Sequence, residues 1–293
     1  MYVILGASGK TGGCAADALL DMGEPVRVVV RNPEKGAVWK TRGADVAVAD
    51  IDDASALARA LRGVDGAYII VPRNFAVSDV LESRERSIES LARAVDDSGI
   101  TNVVFMSSVG AQHAAGTGLI RSLYYAEQRF ADLKADAIFL RGSYFLENWD
   151  MDLAALREGD VFNTFLRADH KIPQVAVRDL GNVIAELLTH APRRGHQVVE
   201  FTGPAEWSPA EIAQAMGEVA GKPVRVQQWP ASAAAEALVQ FGVPRPVAVL
   251  IQEMYEGLDS EHVAFESPQT ARRGQISPKV AMASMWRAAG TRV

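Results

Sequence analysis

The chain has little cysteine, no long apolar run and no excess of positive charge, and each shortage excludes something. A single cysteine in 293 residues, Cys14, rules out an internal disulfide. No stretch of about 18 apolar residues occurs, which rules out a membrane-spanning helix. With 30 Lys and Arg against 36 Asp and Glu, the net charge is −6, so no basic surface argues for nucleic acid or an anionic membrane as partner. His113, His170, His190, His196 and His262 show no metal-ligand spacing, so no metal site is expected. Internal repeats, low-complexity tracts and flexible linkers are also missing. The first strand reads from Tyr2, which leaves no room for a leader peptide, and a reducing cytoplasm is the expected compartment. What remains is ordinary for a globular protein, 48% hydrophobic and 23% charged, and long enough for a sizeable α/β core.

The most informative segment is the first, MYVILGASGKTGG. A short apolar run, Tyr2 to Leu5, feeds into Gly6-Ala7-Ser8-Gly9-Lys10-Thr11-Gly12, after which the pattern turns helical. A strand, a glycine-rich turn and a helix start form an anion cradle, because backbone N–H groups and the helix dipole both favour negative charge there. Gly9-Lys10-Thr11 resembles the end of a phosphate-binding P-loop, but that motif needs a glycine where Ile4 stands. Glycine at 6, 9 and 12 instead makes a GxxGxxG variant of the dinucleotide fingerprint. Gly6 allows the tight turn, Gly9 the approach of a pyrophosphate, and Gly12 close helix–strand packing.

Strand and helix then alternate, as a parallel sheet covered on both faces requires. Strands are expected at Val26–Val30, Val46–Ala49, Ala67–Val71, Asn102–Met106, Ala137–Leu140 and Val198–Phe201. Helices are expected near 12–22, 34–42, 53–62, 79–98, 121–134 and 178–189. Ser208-Pro209-Ala210-Glu211 is a helix start, with serine at the N-cap, proline at N1 and glutamate at N3. Further helices are expected across 231–241 and 246–258, broken by Gly242 to Pro246. The second half reads as a lobe built onto the sheet.

Strand two runs into Arg31, where an NAD-preferring site places a carboxylate for the ribose hydroxyls. A guanidinium there can pair with a 2′-phosphate, so NADP(H) is favoured over NAD(H); a solvated arginine at a strand end is the plainer alternative. Lys10 can add phosphate charge or stay solvated. Asp50, after strand three, is placed to accept from an adenine amino group or to cap the next helix, a role open to Asp52 and Asp53 as well. Val71-Pro72 ends strand four near the point where a cofactor crosses the sheet.

These pieces together resemble the NmrA-like branch of the atypical short-chain dehydrogenase/reductases. The resemblance rests on GASGKTG at 6–12, VVVRNPEK at 28–35, ADIDDASALARAL at 49–61 and NVVFMSSVGA at 102–111. It continues through YYAEQRFADLKADAIFLRGSYFLENW at 124–149, VAVRDLGNVIAELL at 175–188 and FTGPAEWSPAEIAQAMGEVAGKPVRV at 201–226. Within the branch, quinone oxidoreductases and triphenylmethane-dye reductases that use NADPH are the most similar. The resemblance implies a Rossmann-type doubly wound parallel sheet of order 3-2-1-4-5-6-7 with a small C-terminal α/β substrate lobe. It implies an NADP-binding domain of residues 1–150 plus about 175–203, and a substrate-cleft lobe of 151–174 and 204–293. Gly6, Ser8, Gly9, Lys10, Thr11, Gly12 and Arg31 would contact phosphates and ribose, and Asp50 and Ile51 adenine. Val71, Pro72, Ser107 and Ser108 would line the nicotinamide side. Tyr144 and Phe145 would bracket its end, with Asn148 and Trp149 nearby.

Short-chain dehydrogenases carry Tyr-x-x-x-Lys on the helix after strand five, where lysine lowers the pKa of the tyrosine. Tyr124 and Gln128 have that spacing here, but glutamine cannot stabilise a phenolate, which argues against alcohol dehydrogenation. Reduction of an electron-poor quinone depends less on such a base. Tyr124, Gln128 and Asn148 are therefore the candidate catalytic set, with Tyr124 as proton donor, quinone-stacking residue or simply packed side chain. His113 is expected as an exposed loop residue, Asp179 as a helix cap or Arg178 partner, and Cys14 as a packed small residue. Phe241, Tyr255 and Trp286 either wall an aromatic pocket or pack in a core. Two readings follow. One is an NADPH-dependent oxidoreductase acting on a quinone-like small molecule, with a homodimer as a compatible assembly. The other is a non-catalytic NADP(H) sensor with a regulatory protein partner. An isomerase or imine/ene reductase is a third use of the scaffold.

Overall fold

The computed structural model describes residues 1–72, 77, 79–190 and 194–290. Apolar runs in the first half build strands buried on both faces, and their alternation decides which core each residue joins. Val3 and Leu5 of β1 (Tyr2–Leu5), Val29 of β2 (Val26–Val30) and Ile69 of β4 (Gly66–Ile69) point to one face, with Val103 and Phe105 of β5 (Asn102–Ser108). Helices α3 (Ala54–Leu61), α4 (Val80–Ser98) and α5 (Arg121–Ala131) cover that face. The intervening Ile4, Val28, Val30, Tyr68, Val104 and Met106 point to the other face, beneath α1 (Lys10–Asp21) and α7 (Val177–Thr189).

The remaining strands of the main sheet are β3 (Asp45–Val48), β6 (Asp136–Gly142), β10 (Gln197–Thr202) and β13 (Arg272–Arg273). A short α2 (Ala37–Thr41) follows a 3-10 turn at Pro33–Gly36. Every pairing is parallel, and the order is β13-β10-β6-β5-β4-β1-β2-β3. Counted along the chain, the expected 3-2-1-4-5-6-7 order is present, with β10 as the seventh strand. The two-residue β13 adds an eighth that carries no apolar run in the sequence. The chain walks from β1 outward to β3 and returns to β4 on the other side of β1. A crevice therefore opens at the carboxyl ends of β1 and β4, the position at which open α/β sheets bind ligands.

Boundaries moved by a few residues. The fourth strand stops at Ile69 rather than Val71, while the fifth runs on to Ser108. Asp53, not Asp50, caps α3 by accepting from Ala56 N–H at 2.9 Å. The capping box predicted at Ser208 is formed, opening α8 (Pro209–Ala220). Helix α10 (Arg245–Asp259) begins ahead of Pro246, which sits in its first turn where its missing N–H is harmless.

Residues after β6 form a third core. Strand β7 (Tyr144–Phe145) pairs with β9 (Ile172–Val175), and β9 in turn with β11 (Glu206–Trp207). Strand β8 (Val161–Thr164) pairs with β12 (Arg225–Gln228). Leu146, Trp149, Leu153, Phe162, Ile212, Met216 and Met282 are buried together, from the turn at 146–149, α6 (Asp150–Ala155), β8, α8 and α11 (Pro278–Gly290). Helix α9 (Ala234–Gln240) packs on α10 at the outer edge.

Candidate active site

The glycine turn is built by close contact. Gly6 sits at φ 68°, a left-handed conformation that favours glycine, and Gly9 N–H bonds Gly6 C=O at 2.8 Å. A side chain at Gly12 would begin 2.5 Å from Gly6 O and 2.8 Å from Leu5 O, so α1 can lie against the turn only with glycine there. Gly9 is the N-cap of α1 and offers no side-chain cap, and the first turn has no acidic residue. The donors at this helix start thus face the crevice with the positive end of the helix dipole behind them, which fits a pyrophosphate. Ser8 is exposed beside them.

Two side chains of the motif are already occupied. Thr11 is buried and accepts from Tyr68 Oη at 3.0 Å, so its hydroxyl ties α1 to β4 rather than facing the crevice. Lys10 Nζ donates to Asp150 Oδ2 at 2.5 Å and Glu147 O at 2.8 Å, bridging the turn to the segment after β7. The Glu147 carboxylate accepts the Val177 N–H at 3.0 Å and so caps α7, and burial holds this carboxyl above its usual range. The 146–149 turn is therefore fastened to the starts of both α1 and α7.

Arg31, at the carboxyl end of β2, is exposed and has no ion-pair partner among the described residues. Asp50 Oδ1 accepts from Asp52 N–H at 3.0 Å, which shapes the exposed turn after β3, and Ile51 is half-buried against the sheet. Val71 is buried and Pro72 half-buried at the end of β4. Pro72 C=O accepts from Arg84, a buried arginine of α4 that also bonds Ser122 Oγ at 2.6 Å. Ser108 is half-buried, Phe145 packs on the α7 side of the sheet, and Tyr144 lies against Trp149 with the rings tilted at 44° and 5.2 Å between centres. Trp149 is fixed by its own bond to Gln174 Oε1 at 2.8 Å. Asn148 is half-buried in the same turn.

On α5 the expected pair separates. Tyr124 is half-buried, but Gln128 is exposed, and the buried charged residue of that helix is its neighbour Glu127. Glu127 accepts from Ser107 Oγ at 2.5 Å and from Arg141 Nε and Nη2 at 2.9 and 2.7 Å. Register puts Ser107 directly opposite Arg141 on β6. Arg141 also reaches Glu266 at 2.9 Å and lies 4.0 Å from Glu200, whose carboxylate accepts from Glu266 and Ser267 N–H at 2.7 and 3.0 Å. This buried network went unread in the sequence. Its signals were a glutamate between Ala126 and Phe130 on an apolar helix face, and an arginine inside the strand AIFLRG.

The other expectations resolve one by one. Asp179 neither caps its helix nor pairs with Arg178; its Oδ2 accepts from Gln275 and Ile276 N–H at 2.9 and 2.8 Å and holds the segment after β13. Cys14 packs against Gly181 of α7, and burial pushes its thiol up to about 11, which leaves it inert. His113 is half-buried and stacked on His262 at 4.2 Å. Phe241 is 85% exposed and walls nothing, Trp286 lies under the Arg157 guanidinium, and Tyr255 packs 5.9 Å from Phe165.

The comparisons with known proteins agree with this geometry. An NAD(P)H azoreductase from Xenophilus azovorans is 26% identical over 264 residues, covering 90% of this chain and 89% of that protein. An NADPH-dependent quinone oxidoreductase from Escherichia coli, solved with NADPH, superposes with a TM-score of 0.82 at 24% identity, over 98% of this chain and 100% of that one. A triphenylmethane reductase from Citrobacter sp., solved with NADP(H), gives 0.80 at 20% identity over 97% and 98%. The NmrA-like family model matches residues 2–284. A glycine cradle under a doubly wound sheet and a match across almost the whole sequence lead to one conclusion: this chain belongs to the NmrA-like family.

Proposed function

We propose that the protein is an NADPH-dependent oxidoreductase that transfers hydride to a quinone-like or similarly conjugated small-molecule acceptor. The observation that carries this reading is the uncapped, glycine-lined start of α1 with the Arg31 guanidinium, which has no ion-pair partner among the described residues, standing at the next strand end. The azoreductase and quinone and dye reductases to which the chain is similar support it. In this reading the amides of Ser8 to Thr11 hold the pyrophosphate, Arg31 the 2′-phosphate, and Asp50 and Ile51 the adenine. Val71, Pro72, Ser107 and Ser108 line the nicotinamide end, closed by Tyr144, Phe145 and Asn148. Because Ser107 gives its only proton to Glu127, its oxygen meets the cofactor as an acceptor. Lys10 serves a phosphate only by leaving Asp150. The bound cofactor supplies the hydride; the protein positions the acceptor and excludes water. Residues 151–174 and the described part of 204–293, up to residue 290, form the lobe over the acceptor in this reading.

The second reading, a nucleotide sensor without turnover, is favoured by one observation, the exposed glutamine at 128 in place of a cation. NADPH oxidation against a panel of quinones, with binding measured in the same preparation, separates the two. Saturable turnover supports the enzyme, and tight binding without turnover supports the sensor. Arg31→Ala is expected to weaken NADPH binding at least ~10-fold, about the 1.4 kcal/mol of a charge-assisted bond, and NADH binding little. Equal losses for both would overturn the 2′-phosphate assignment.

A further inference from the structure

We propose that Glu127, clamped by Arg141, fixes the Ser107 hydroxyl as a hydrogen-bond acceptor and so makes the crevice select the carboxamide N–H of a nicotinamide. This rests on the oxidoreductase reading above and names the part of the cofactor that Ser107 recognises. Ser107 touches the cofactor; Glu127 and Arg141 are positioning residues that act through it.

Sequence and register place the three groups. Val103, Phe105 and Ser107 alternate onto the α5 face of β5, and the apolar run gives way to serine at the carboxyl end of the strand. Ser107 lies two residues past Phe105, where the pairing with β4 stops, and so stands at the edge of the crevice. Strands β5 and β6 are parallel, so the helix that joins them, α5, runs back from that same end. Half-buried Tyr124 is in its first turn, and Glu127 follows one turn deeper on the same side.

Glu127 does not need Ser107 to pair its charge. Arg141 Nε donates to Oε1 at 2.9 Å and Nη2 to Oε2 at 2.7 Å, a two-point match of guanidinium and carboxylate. Arg141 Nη1 reaches Glu266 at 2.9 Å and lies 4.0 Å from Glu200, which holds the guanidinium in place. Ser107 Oγ nevertheless donates to Glu127 Oε1 at 2.5 Å, and the three residues are 3%, 4% and 5% exposed. A free serine hydroxyl rotates to suit whichever group arrives. Here the carboxylate can only accept, so the single hydroxyl proton is committed and the oxygen keeps only lone pairs for a ligand.

That fixed polarity selects among the groups at the nicotinamide end of a dinucleotide. Ribose hydroxyls donate or accept and adapt to either. The carboxamide NH2 only donates and its C=O only accepts, so an acceptor at Ser107 tells them apart. An N–H placed there is satisfied, whereas a carbonyl or a methyl group leaves the serine oxygen facing a group that cannot donate to it.

The test compares, by titration calorimetry, the affinity of the full chain for NADP+ and for its acetylpyridine analogue, which carries a methyl in place of the carboxamide NH2. The unaltered protein is expected to bind the analogue ~10-fold more weakly, the upper end of what one hydrogen bond contributes. Ser107→Ala should bring the two within ~3-fold. Glu127→Leu/Arg141→Met removes both charges and frees the hydroxyl to donate to the acetyl C=O. The analogue then gains on NADP+, and the ratio falls to ~3-fold here too. A network that only held the fold together would weaken both cofactors by the same factor. A ratio near one in the unaltered protein, or an unchanged ratio in either variant, would overturn the inference. No binding of NADP+ at all would overturn the nucleotide reading and this inference with it. Failure of hydride transfer shows separately, as bound NADPH that no quinone oxidises, and does not alter the ratio.

Discussion

Removing the Glu127 carboxylate should destabilise the protein far more than removing it together with its partner. Glu127 and Arg141 are 4% and 5% exposed and meet through two hydrogen bonds, with Ser107 adding a third to the carboxylate. Glu127→Gln leaves a buried guanidinium short of its main counter-charge, a change worth about 3–5 kcal/mol for a buried pair. Arg141 keeps Glu266 at 2.9 Å, but that side chain is 62% exposed and screened. The expected loss is therefore near the lower end, ~3 kcal/mol. In Glu127→Leu/Arg141→Met both charges go and apolar volume replaces them. Glu200 remains satisfied by its two backbone donors, so the double variant should lie within ~1.5 kcal/mol of the original. Urea unfolding with linear extrapolation, on both single variants and the double, measures this directly. A loss below ~1 kcal/mol for Glu127→Gln, or a double variant as unstable as the sum of the singles, would refute the argument.

Three further outcomes follow from the packing. A Cβ at Gly181 would sit 2.5 Å from the Cys14 backbone carbon, so Gly181→Ala should cost ~1–3 kcal/mol by urea unfolding, and Cys14→Ala should not relieve it because the clash includes backbone. With its thiol raised to about 11, Cys14 should resist iodoacetamide at pH 8 and label at the rate of a free thiol only in denaturant; fast labelling of the folded protein would contradict its burial. His113 is held below the usual imidazole value, first by burial and then by His262 and Arg141. The unfolded chain then binds the extra proton first, so stability is retained above about pH 6.5 and declines as pH falls below it, by at most ~1.4 kcal/mol per pH unit. His113→Asn should flatten that part of the slope, and an unchanged slope in urea midpoints from pH 5 to 8 would count against it.

Much of the architecture was legible because its causes are local. Alternating apolar runs assign residues to the two faces of the sheet, and the spacing of Gly6, Gly9 and Gly12 records where a turn must bend and a helix must approach. Ser208 and Glu211 announce a capping box within four residues. Even the absence of a cation at Gln128 could be read before any coordinates. The sequence misled where a side chain's task depends on distant chain. Lys10 and Thr11 belong to an anion motif by spacing, yet Asp150 and Tyr68 claim their polar ends.

The sequence by itself determined the layered parallel sheet, the crevice at its switch point and the anion cradle that opens it, since strand period, glycine spacing and helix caps act over a few residues. Only the tertiary structure decided that Glu127 rather than Gln128 turns inward and that Arg141 meets it through sheet register. Those groups lie on different elements, and no periodicity in a chain encodes which buried charges will find each other. That pairing is set when low-dielectric burial makes an unpartnered ion too costly to keep.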